Sequence, residues 1–399
     1  MAKTRRVFFL LRSYNDIDHI APIIWKALHS NIVCFYFFTD QALHRDYRIQ
    51  FLDQHGAIRL YSPVLDFYHR VRKGIRPRVL RRTIDYLISF SIGTWYLISK
   101  DIYCIVNEWS GPFGREMAEY FLRPGRMLKL KTICVPHGYH FWTNKVINVV
   151  VKEYVDRYGT LPNFSNRAQY TTYVVQTNNI RDYYLAHGMP ANKLRVLGSA
   201  RFCPEWRNTL IDFLPKQPIH RSPEHAFAVV IFIPDWTYFI DRQATVSLIN
   251  ALSSLSGVLL LIKQNTRGTG KIDFDELESS APSKHVHIVG DELHSPSLVA
   301  QADCLINFAS SIGLEGLGQG KPVINPTYLN GNQTIFDASG AVIDASSEAE
   351  VIQSVQQLQN KSIGQLPSPD TIDRFLHAHV NAERPADSVL QGYVDLITA

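Results

Sequence analysis

The stretch Ala302-Asp-Cys-Leu-Ile-Asn-Phe-Ala-Ser-Ser-Ile-Gly-Leu-Glu-Gly-Leu-Gly-Gln-Gly-Lys-Pro-Val-Ile-Asn325 predicts a strand, a turn, a short helix and a second strand. Ser310 and Ser311 fall where the helix begins. Backbone N–H groups there lack helical partners and carry the positive end of the helix dipole, which suits a phosphate. Glu315 lies about one turn further on, where a carboxylate can accept hydrogen bonds from a ribose diol. The stretch therefore predicts a nucleotide site; the alternative is a capped strand–helix unit with an exposed Glu.

Short apolar runs alternate with helical patterns on both sides of this stretch. Most runs are continuous, as in parallel strands buried on both faces. The predicted strands are 7–11, 32–38, 57–61, 102–107, 132–136, 172–176, 194–197, 226–233, 257–263, 285–289, 303–308, 322–325 and 341–343. The predicted helices are 17–29, 78–100, 179–187, 242–255, 297–301, 312–317, 348–358 and 370–377. This order predicts an α/β protein with two facing Rossmann-like, doubly wound domains.

The domain boundary is predicted where proline accumulates after residue 203. Pro204, Pro215, Pro218 and Pro223 with scattered charges have the composition of a linker. We therefore expect an acceptor-binding domain at 1–205, a linker at 206–225 and a nucleotide-sugar-binding domain at 226–365. Residues 366–399 are expected to form C-terminal helices that return to the first domain.

Composition excludes several classes of protein. The 399 residues are 46% hydrophobic and 19% charged, which suits a globular protein with a sizeable core. A net charge of +5 is too small for a general nucleic-acid binder. No apolar run reaches the length of a membrane span. The five cysteines are isolated and mostly lie in apolar runs, which indicates reduced thiols, a cytoplasmic location and no structural zinc.

Common catalytic signatures are missing from the sequence. No Gly-x-Gly-x-x-Gly follows a strand, and no Walker loop, His-Glu-x-x-His or Gly-x-Ser-x-Gly occurs. A dinucleotide-dependent Rossmann enzyme is therefore disfavoured. Neither a metal nor a separate cofactor is expected, because Lys263, Arg267 and the helix start at Ser310 could carry the charge of a diphosphate.

Two candidate catalytic residues follow strands of the first half. His137, in Pro-His-Gly, comes just after a buried strand, at the sheet edge where open α/β sheets bind ligands. Its imidazole can take a proton from a hydroxyl nucleophile near neutral pH; the alternative is a structural His that caps a loop. Glu108 ends an earlier strand and is a candidate for a second acid/base or for binding an acceptor hydroxyl, or else a solvated loop residue.

Further candidates follow strands of the second half. Asp235, after the first of these strands, is a candidate nucleophile or base, although capping of the next turn is the commoner role. Lys263 and Arg267 follow the second strand and could neutralise the diphosphate of a leaving group. An ordinary basic loop is the alternative.

Two residues at the end of the first half are also candidate donor-binding residues. Gly198 permits close approach of the backbone to a ligand, and Arg201 could reach across a cleft. Equally, this segment could be a hinge without substrate contact.

A basic cluster precedes an apolar helix in the first half. Its members are Arg72, Lys73, Arg76, Arg78, Arg81 and Arg82. Such an element can rest on an anionic membrane surface or hold a lipid diphosphate, which predicts peripheral contact with the inner membrane. The alternative is a solvated positive face.

These pieces, in this order, resemble bacterial GT-B glycosyltransferases that build surface polysaccharides such as capsule, O-antigen and teichoic acid. His137-Gly138, Pro234-Asp235-Trp236 and Ser310-Ser311 followed by Lys321-Pro322 are similar to motifs of the CDP-glycerol glycerophosphotransferase family. Capsule Kdo transferases look similar in the second domain, where Asp235 matches a catalytic Asp. The chain departs from the first family at Asn265-Thr266, where His-Pro is usual.

The resemblance implies a metal-independent glycosyltransferase with a nucleotide-sugar donor and a growing surface polysaccharide or lipid-linked glycan as acceptor. His137 would then be the base, with inversion at the anomeric carbon, or Asp235 would form a covalent adduct, with retention. Ser310 and Ser311 would bind the donor phosphate. The alternatives are a CDP-glycerol or CDP-ribitol phosphotransferase, a CMP-Kdo transferase, and a non-catalytic glycan-assembly module.

Overall fold

The computed structural model describes residues 5–38, 41–72, 74–108, 118–165, 169–215, 217–264, 272, 285–290, 293–362, 364 and 366–399. The chain divides into two compact units. Unit 1 comprises Met1–Tyr139, Asn163–Phe213 and His379–Ala399, and unit 2 comprises His140–Pro162 and Leu214–Ala378.

Unit 1 is built on a seven-stranded parallel sheet in the order β3-β2-β1-β4-β5-β6-β7. The strands are β1 (Arg6–Leu10), β2 (Val33–Phe37), β3 (Ile58–Arg59), β4 (Cys104–Glu108), β5 (Lys131–Val135), β6 (Thr172–Val175) and β7 (Leu194–Val196). The apolar runs of the central strands are buried on both faces, which explains why they carry little alternation. The chain changes direction across the sheet between β1 and β4, so the topological switch point lies there.

Unit 2 contains a six-stranded parallel sheet in the order β10-β9-β8-β11-β12-β13. The strands are β8 (Phe227–Phe232), β9 (Val258–Lys263), β10 (Val286–Val289), β11 (Cys304–Asn307), β12 (Val323–Pro326) and β13 (Ile343–Ala345). Its switch point lies between β8 and β11. The segment 140–162 joins this unit: Trp142 bridges Thr334, and Asn144 Nδ2 donates to Asn332 Oδ1 at 2.8 Å.

Helices connect the strands of both sheets. They are α1 (Tyr14–His29), α2 (Tyr47–Gln54), α3 (Pro63–Arg72), α4 (Arg78–Ile88), α5 (Thr94–Ser99), α6 (Ala118–Met127), α7 (Val149–Tyr158), α8 (Asn178–Ala186), α9 (Pro204–Phe213), α10 (Arg242–Ser253), α11 (Ser295–Gln301), α12 (Ile312–Gly318), α13 (Glu348–Gln359), α14 (Pro369–His379) and α15 (Ser388–Thr398). A π turn, Ser89–Gly93, joins α4 to α5. Within the described ranges, no helix combines the length and apolar character that crossing a bilayer requires.

The C-terminal helix α15 packs against α1 of unit 1, whereas α14, which was also predicted to return to the first domain, belongs to unit 2. The hydroxyl of Tyr393 donates to the carbonyl oxygen of Gly198 at 2.9 Å, and the amide of Ser199 donates to that of Val380 at 2.7 Å. The end of the chain thus completes the unit that its beginning forms.

Every strand predicted from the sequence overlaps an observed strand, although the last one shares only residue 343 with β13. The first part of the predicted linker differs, because residues 206–213 belong to helix α9 in unit 1. Trp206 of this helix is 1% exposed, and Phe213 stacks on Phe51 with ring centroids 3.8 Å apart. Pro204 does not interrupt the helix because it occupies the first turn, where proline is tolerated.

Candidate active site

Polar side chains of unit 1 gather at the carboxyl ends of β1, β4 and β5. Arg12 follows β1, Glu108 is the last residue of β4, and His137 lies two residues after β5. Because β1 and β4 flank the switch point, these side chains occupy the part of the edge where α/β sheets bind ligands.

Glu108 and His137 form the central pair of this cluster. His137 Nδ1 lies 2.8 Å from Glu108 Oε1; the side chain of His137 is 43% exposed and that of Glu108 is 0% exposed. A carboxylate at Nδ1 favours the tautomer that carries its proton there, which makes Nε2 the accepting nitrogen. Both residues were predicted as catalytic, and the burial of Glu108 excludes the alternative of a solvated loop residue.

Arg12 and Asp16 support this pair from the start of α1. Arg12 Nε lies 3.2 Å from Asp16 Oδ2, and Arg12 Nη2 lies 3.6 Å from Glu108 Oε2. Asp16 also accepts hydrogen bonds from the backbone amide of Arg12 and the hydroxyl of Ser13, each at 2.8 Å. Burial alone raises the pKa of Asp16, but the hydrogen bond with Glu108 and the charge of Arg12 hold it below its ordinary value.

The same side chains form a set of oxygen and nitrogen donors. The nearest ligand atoms of Asp16, Glu108 and His137 lie within 4.8 Å of one another, close enough to share a divalent cation. Arg12 already places a positive charge against both carboxylates. A transferase that needs no metal therefore stays a prediction compatible with this geometry.

His19, one turn along α1, is the next titratable group. It is 3% exposed, and its Nε2 has no hydrogen-bond partner within the part of the chain that the structure describes. Burial, together with the nearby charge of Arg201, lowers its pKa to about 3. His19 is therefore neutral across the physiological range.

Arg201 and Gly198 were predicted as donor-binding residues, and both have partners inside unit 1. Arg201 Nη1 lies 2.9 Å from Asp18 Oδ2, so this guanidinium ties the end of the sheet to α1. Gly198 has φ +85, and a Cβ there would lie 2.7 Å from the carbonyl oxygen of Val380. Packing of the C-terminal segment accounts for this glycine without a ligand.

Asp235 follows β8 in unit 2 and caps the turn Trp236–Tyr238. Its Oδ1 accepts hydrogen bonds from the backbone amide of Thr237 at 2.9 Å and from the hydroxyl of Thr237 at 2.8 Å. This geometry corresponds to the capping alternative.

Lys263 ends β9 and is 7% exposed. Its ammonium group donates to the carbonyl oxygens of Gly290 and, at 3.1 Å, Leu293. These bonds join β9 to the loop before α11, so the structure gives Lys263 a structural role. Arg267 lies outside the described residues, as do Lys73 of the basic cluster and the departure at Asn265-Thr266.

The Ser-Ser turn lies between β11 and α12, as the sequence predicts. Ala309 adopts φ +57, and Ser310 Oγ accepts the backbone amide of Ile312 at 3.3 Å. Ser310 and Ser311 are half-buried. Glu315 is 3% exposed and accepts a hydrogen bond from Gln319 Nε2 at 2.7 Å, so it is not the exposed Glu of the alternative reading.

Sequence reasoning did not identify Arg12, Asp16 and His19. A signal was present, because Arg12-Ser13-x-x-Asp16 directly follows the first strand, the position that contributes to a switch point in this topology. The ion pair between Arg12 and Glu108 joins residues 96 positions apart, and no local pattern reveals it.

No protein-family model and no curated protein matches this sequence. Solved structures do match its fold. A UDP-GlcNAc 2-epimerase from Neisseria meningitidis bound to UDP-GlcNAc has a TM-score of 0.59 and 13% identity, and the match covers 99% of this chain and 100% of that chain. A glycosyltransferase from Rickettsia africae has a TM-score of 0.59 and 10% identity, with 99% and 98% covered. An Anabaena protein in complex with UDP-glucose has a TM-score of 0.56 and 8% identity, with 98% and 99% covered.

These likenesses cover nearly the whole of each chain, and their identities are low enough that they speak to fold alone. Together with two parallel sheets flanked by helices, they show that this chain has the GT-B fold.

Proposed function

We propose that this protein is a GT-B enzyme that acts on a nucleotide sugar, and specifically a glycosyltransferase that extends a bacterial surface polysaccharide or a lipid-linked glycan. The observation that carries the proposal is the Glu108–His137 pair at the switch point of unit 1. The proposal places the enzyme in the cytoplasm or on the cytoplasmic face of the inner membrane; its five cysteines are free and buried, which suits a reducing compartment.

In this proposal His137 is the general base. Its Nε2 takes the proton of an acceptor hydroxyl as the hydroxyl oxygen attacks the anomeric carbon of the donor. The bond from that carbon to the diphosphate oxygen breaks, the nucleotide leaves with its electron pair, and configuration inverts. Glu108 at Nδ1 orients the ring and stabilises the imidazolium that forms, the role that a buried carboxylate has in a catalytic triad.

The donor is assigned to unit 2. Ser310 and Ser311 follow β11 at the switch point of that sheet, and two fold neighbours were solved with UDP-sugars. Donor contacts by Glu315, Lys263 and Arg267 remain predictions, and the first two would have to exchange or share the internal partners described above. Asp235 already accepts two hydrogen bonds from Thr237 as a cap, so it is poorly placed to form a covalent adduct with the sugar. This favours the inverting reaction with His137 as base.

A second candidate is a nucleotide-sugar epimerase. Two carboxyl groups and an imidazole lie within 4.8 Å of one another, a set able to remove a proton from a sugar carbon and return it without an acceptor. The Neisseria neighbour is named as such an epimerase.

Thermal-shift measurements with CMP, CDP, UDP, GDP and ADP test the proposal first. A nucleotide at about 100 times its Kd stabilises a fold by about 2.7 kcal/mol, and a non-catalytic assembly module predicts no shift with any of the five. Activity follows with the matching donor. Transfer to a glycan acceptor supports the glycosyltransferase, a new epimer without acceptor supports the epimerase, and turnover of CDP-glycerol, CDP-ribitol or CMP-Kdo supports the remaining alternatives.

A further inference from the structure

Helix α3 and the continuous stretch formed by α4 and α5 make a helical hairpin in unit 1. The side of this hairpin that bears Val64, Phe67, Val71, Val79, Leu87, Trp95 and Ile98 is the α3–α5 face. Asp85 on α4 holds the hairpin together. It accepts the hydroxyls of Tyr68 at 2.9 Å and Tyr120 at 2.7 Å, and Arg72 donates to it from Nε at 2.8 Å and from Nη2 at 2.9 Å. Arg72 is therefore an internal partner, which corrects its prediction as a membrane contact.

Large apolar side chains cover the outward side of α4 and α5. The exposed fraction is 79% for Val79, 64% for Leu87, 60% for Trp95 and 61% for Ile98. Four such residues on one stretch of helix leave a substantial apolar area in water, which marks a binding surface rather than ordinary surface variation.

The π turn brings these side chains onto one side of the helix. Leu87 and Trp95 are eight positions apart, as are Phe90 and Ile98. Two turns of α-helix take about seven residues, and the wider turn Ser89–Gly93 accommodates the additional one. The apolar stripe of α4 therefore continues along α5.

Helix α3 adds a parallel apolar stripe. Val64, Phe67 and Val71 are exposed at 56%, 62% and 40%, and they recur at the spacing of one helical face. Leu65 and Tyr68 on the same helix are buried in the unit. The hairpin thus has an inner apolar face that the core uses and an outer one.

Positive charge accompanies the outer stripe. Arg76 just before α4, and Arg78 and Arg82 in its first turns, are exposed. The segment 61–100 contains two acids; Asp66 is 9% exposed, and Asp85 is held by Arg72. Arg82 lies three positions after Val79 and so borders the α3–α5 face, and neither acid of the segment is exposed.

We propose that the α3–α5 face binds the surface of an anionic phospholipid bilayer. The apolar side chains enter the boundary between head groups and acyl chains, and the guanidinium groups meet lipid phosphates. Pairing with a second copy would set arginine against arginine, and an uncharged partner would leave the cations without counter-charge. This inference specifies the membrane contact that the proposed function leaves open, and vesicle binding tests it whether or not the chain transfers a sugar.

Co-sedimentation of the purified chain with vesicles tests the inference. We expect binding to vesicles of phosphatidylcholine mixed with phosphatidylglycerol, weakening with salt, and little binding to phosphatidylcholine alone. The double variant Leu87→Glu/Trp95→Glu should lose at least about tenfold in partition. Arg76→Gln/Arg82→Gln should lose roughly fivefold per arginine. Val150→Glu is the matched control, since Val150 is 67% exposed on α7 of unit 2, and it should bind like wild type.

Melting temperatures establish that each variant is folded. We expect each to fold, because the substituted side chains are exposed. Equal binding to neutral and anionic vesicles would overturn the inference, as would undiminished binding of folded Leu87→Glu/Trp95→Glu. Light scattering that shows a dimer, converted to a monomer by the same double variant, would assign the face to a second copy instead.

Discussion

At the scale of single residues, the candidate site divides its work between a buried and an exposed partner. Glu108 is inaccessible and contacts Arg12 and His137, whereas His137 reaches solvent. A proton acceptor must meet its substrate, but the group that orients it works best where water cannot compete. Of the two, only His137 is exposed enough to meet the acceptor of the proposed reaction.

Replacing His137 by alanine tests that assignment. We expect turnover in the transfer reaction to fall at least about 100-fold, because general-base catalysis contributes on that order. Donor affinity, measured by calorimetry, should change little, since the donor is assigned to unit 2. His29→Ala, an exposed histidine at the end of α1, is the control and should retain activity. Near-normal turnover of His137→Ala would remove this residue from the mechanism.

His19 predicts a pH dependence of stability. Its folded pKa of about 3 lies below the ordinary value of 6.5. As pH falls below 6.5, His19 binds a proton in the unfolded chain but stays neutral in the folded chain. The free energy of unfolding that is present at pH 7 is therefore progressively lost. The loss from this group is about 2 kcal/mol at pH 5.

Urea unfolding at pH 7 and pH 5 measures this loss. His19→Gln should remove about 2 kcal/mol of the difference between the two pH values. His55→Gln, at an exposed histidine on α2, should leave that difference intact. Equal pH dependence in the two variants would contradict the buried, neutral state of His19.

The positions of His137 and Glu108 at the edge of the sheet were predictable, because the carboxyl end of a buried parallel strand is marked in the sequence by the end of its apolar run. The role of Glu108 was not, because it depends on a pairing of β4 with β5 that places Glu108 opposite Val135. Register of this kind arises from packing of the whole sheet, and so do the contacts of Arg12.

At the scale of elements, the sheets were predictable and several helices were not. Buried parallel strands are continuous apolar runs, which stand out in any sequence. Helix α6 contains Pro124-Gly125, a pair that normally ends helices. A Cβ on Gly125 would lie 2.6 Å from Ile105 Cδ1. Close packing against β4 therefore requires glycine here, although glycine has a low helix propensity.

Gly198 provides a test of how the C-terminal segment docks. Gly198→Ala places a side chain on a backbone with φ +85 and drives it against the carbonyl of Val380. Gly56→Ala has a similar φ of +93 with nothing within 4 Å of the new Cβ. Both variants pay the same cost of placing alanine at a positive φ. The difference between their free energies of unfolding therefore reports the contact with Val380 alone.

We expect Gly198→Ala to lower the free energy of unfolding by about 1–3 kcal/mol more than Gly56→Ala, the usual cost of overpacking. Urea denaturation of both variants gives the two values. Equal losses would mean that the C-terminal segment shifts away at no cost.

At the scale of the whole molecule, the two units should respond differently to the donor nucleotide. Hydrogen exchange read by mass spectrometry locates the response. With the nucleotide that raises the melting temperature most, exchange should slow in peptides that contain Ser310 and Ser311, because a bound phosphate accepts from the backbone amides there. Peptides covering 104–108 and 118–137 should change less. Protection confined to those peptides and to 12–19 would place the nucleotide in unit 1.

The route of the chain between the units has a consequence for recombination. The chain passes from one unit to the other after Tyr139, Pro162, Phe213 and Ala378. Exchange of the second half at a single crossover near residue 214 would bring in α10 to α15, including the C-terminal helix that packs on α1, but keep Trp142 and Asn144 from the original parent. Those residues contact Thr334 and Asn332. A chimaera therefore keeps these contacts within unit 2 only when segment 140–162 travels with the second half.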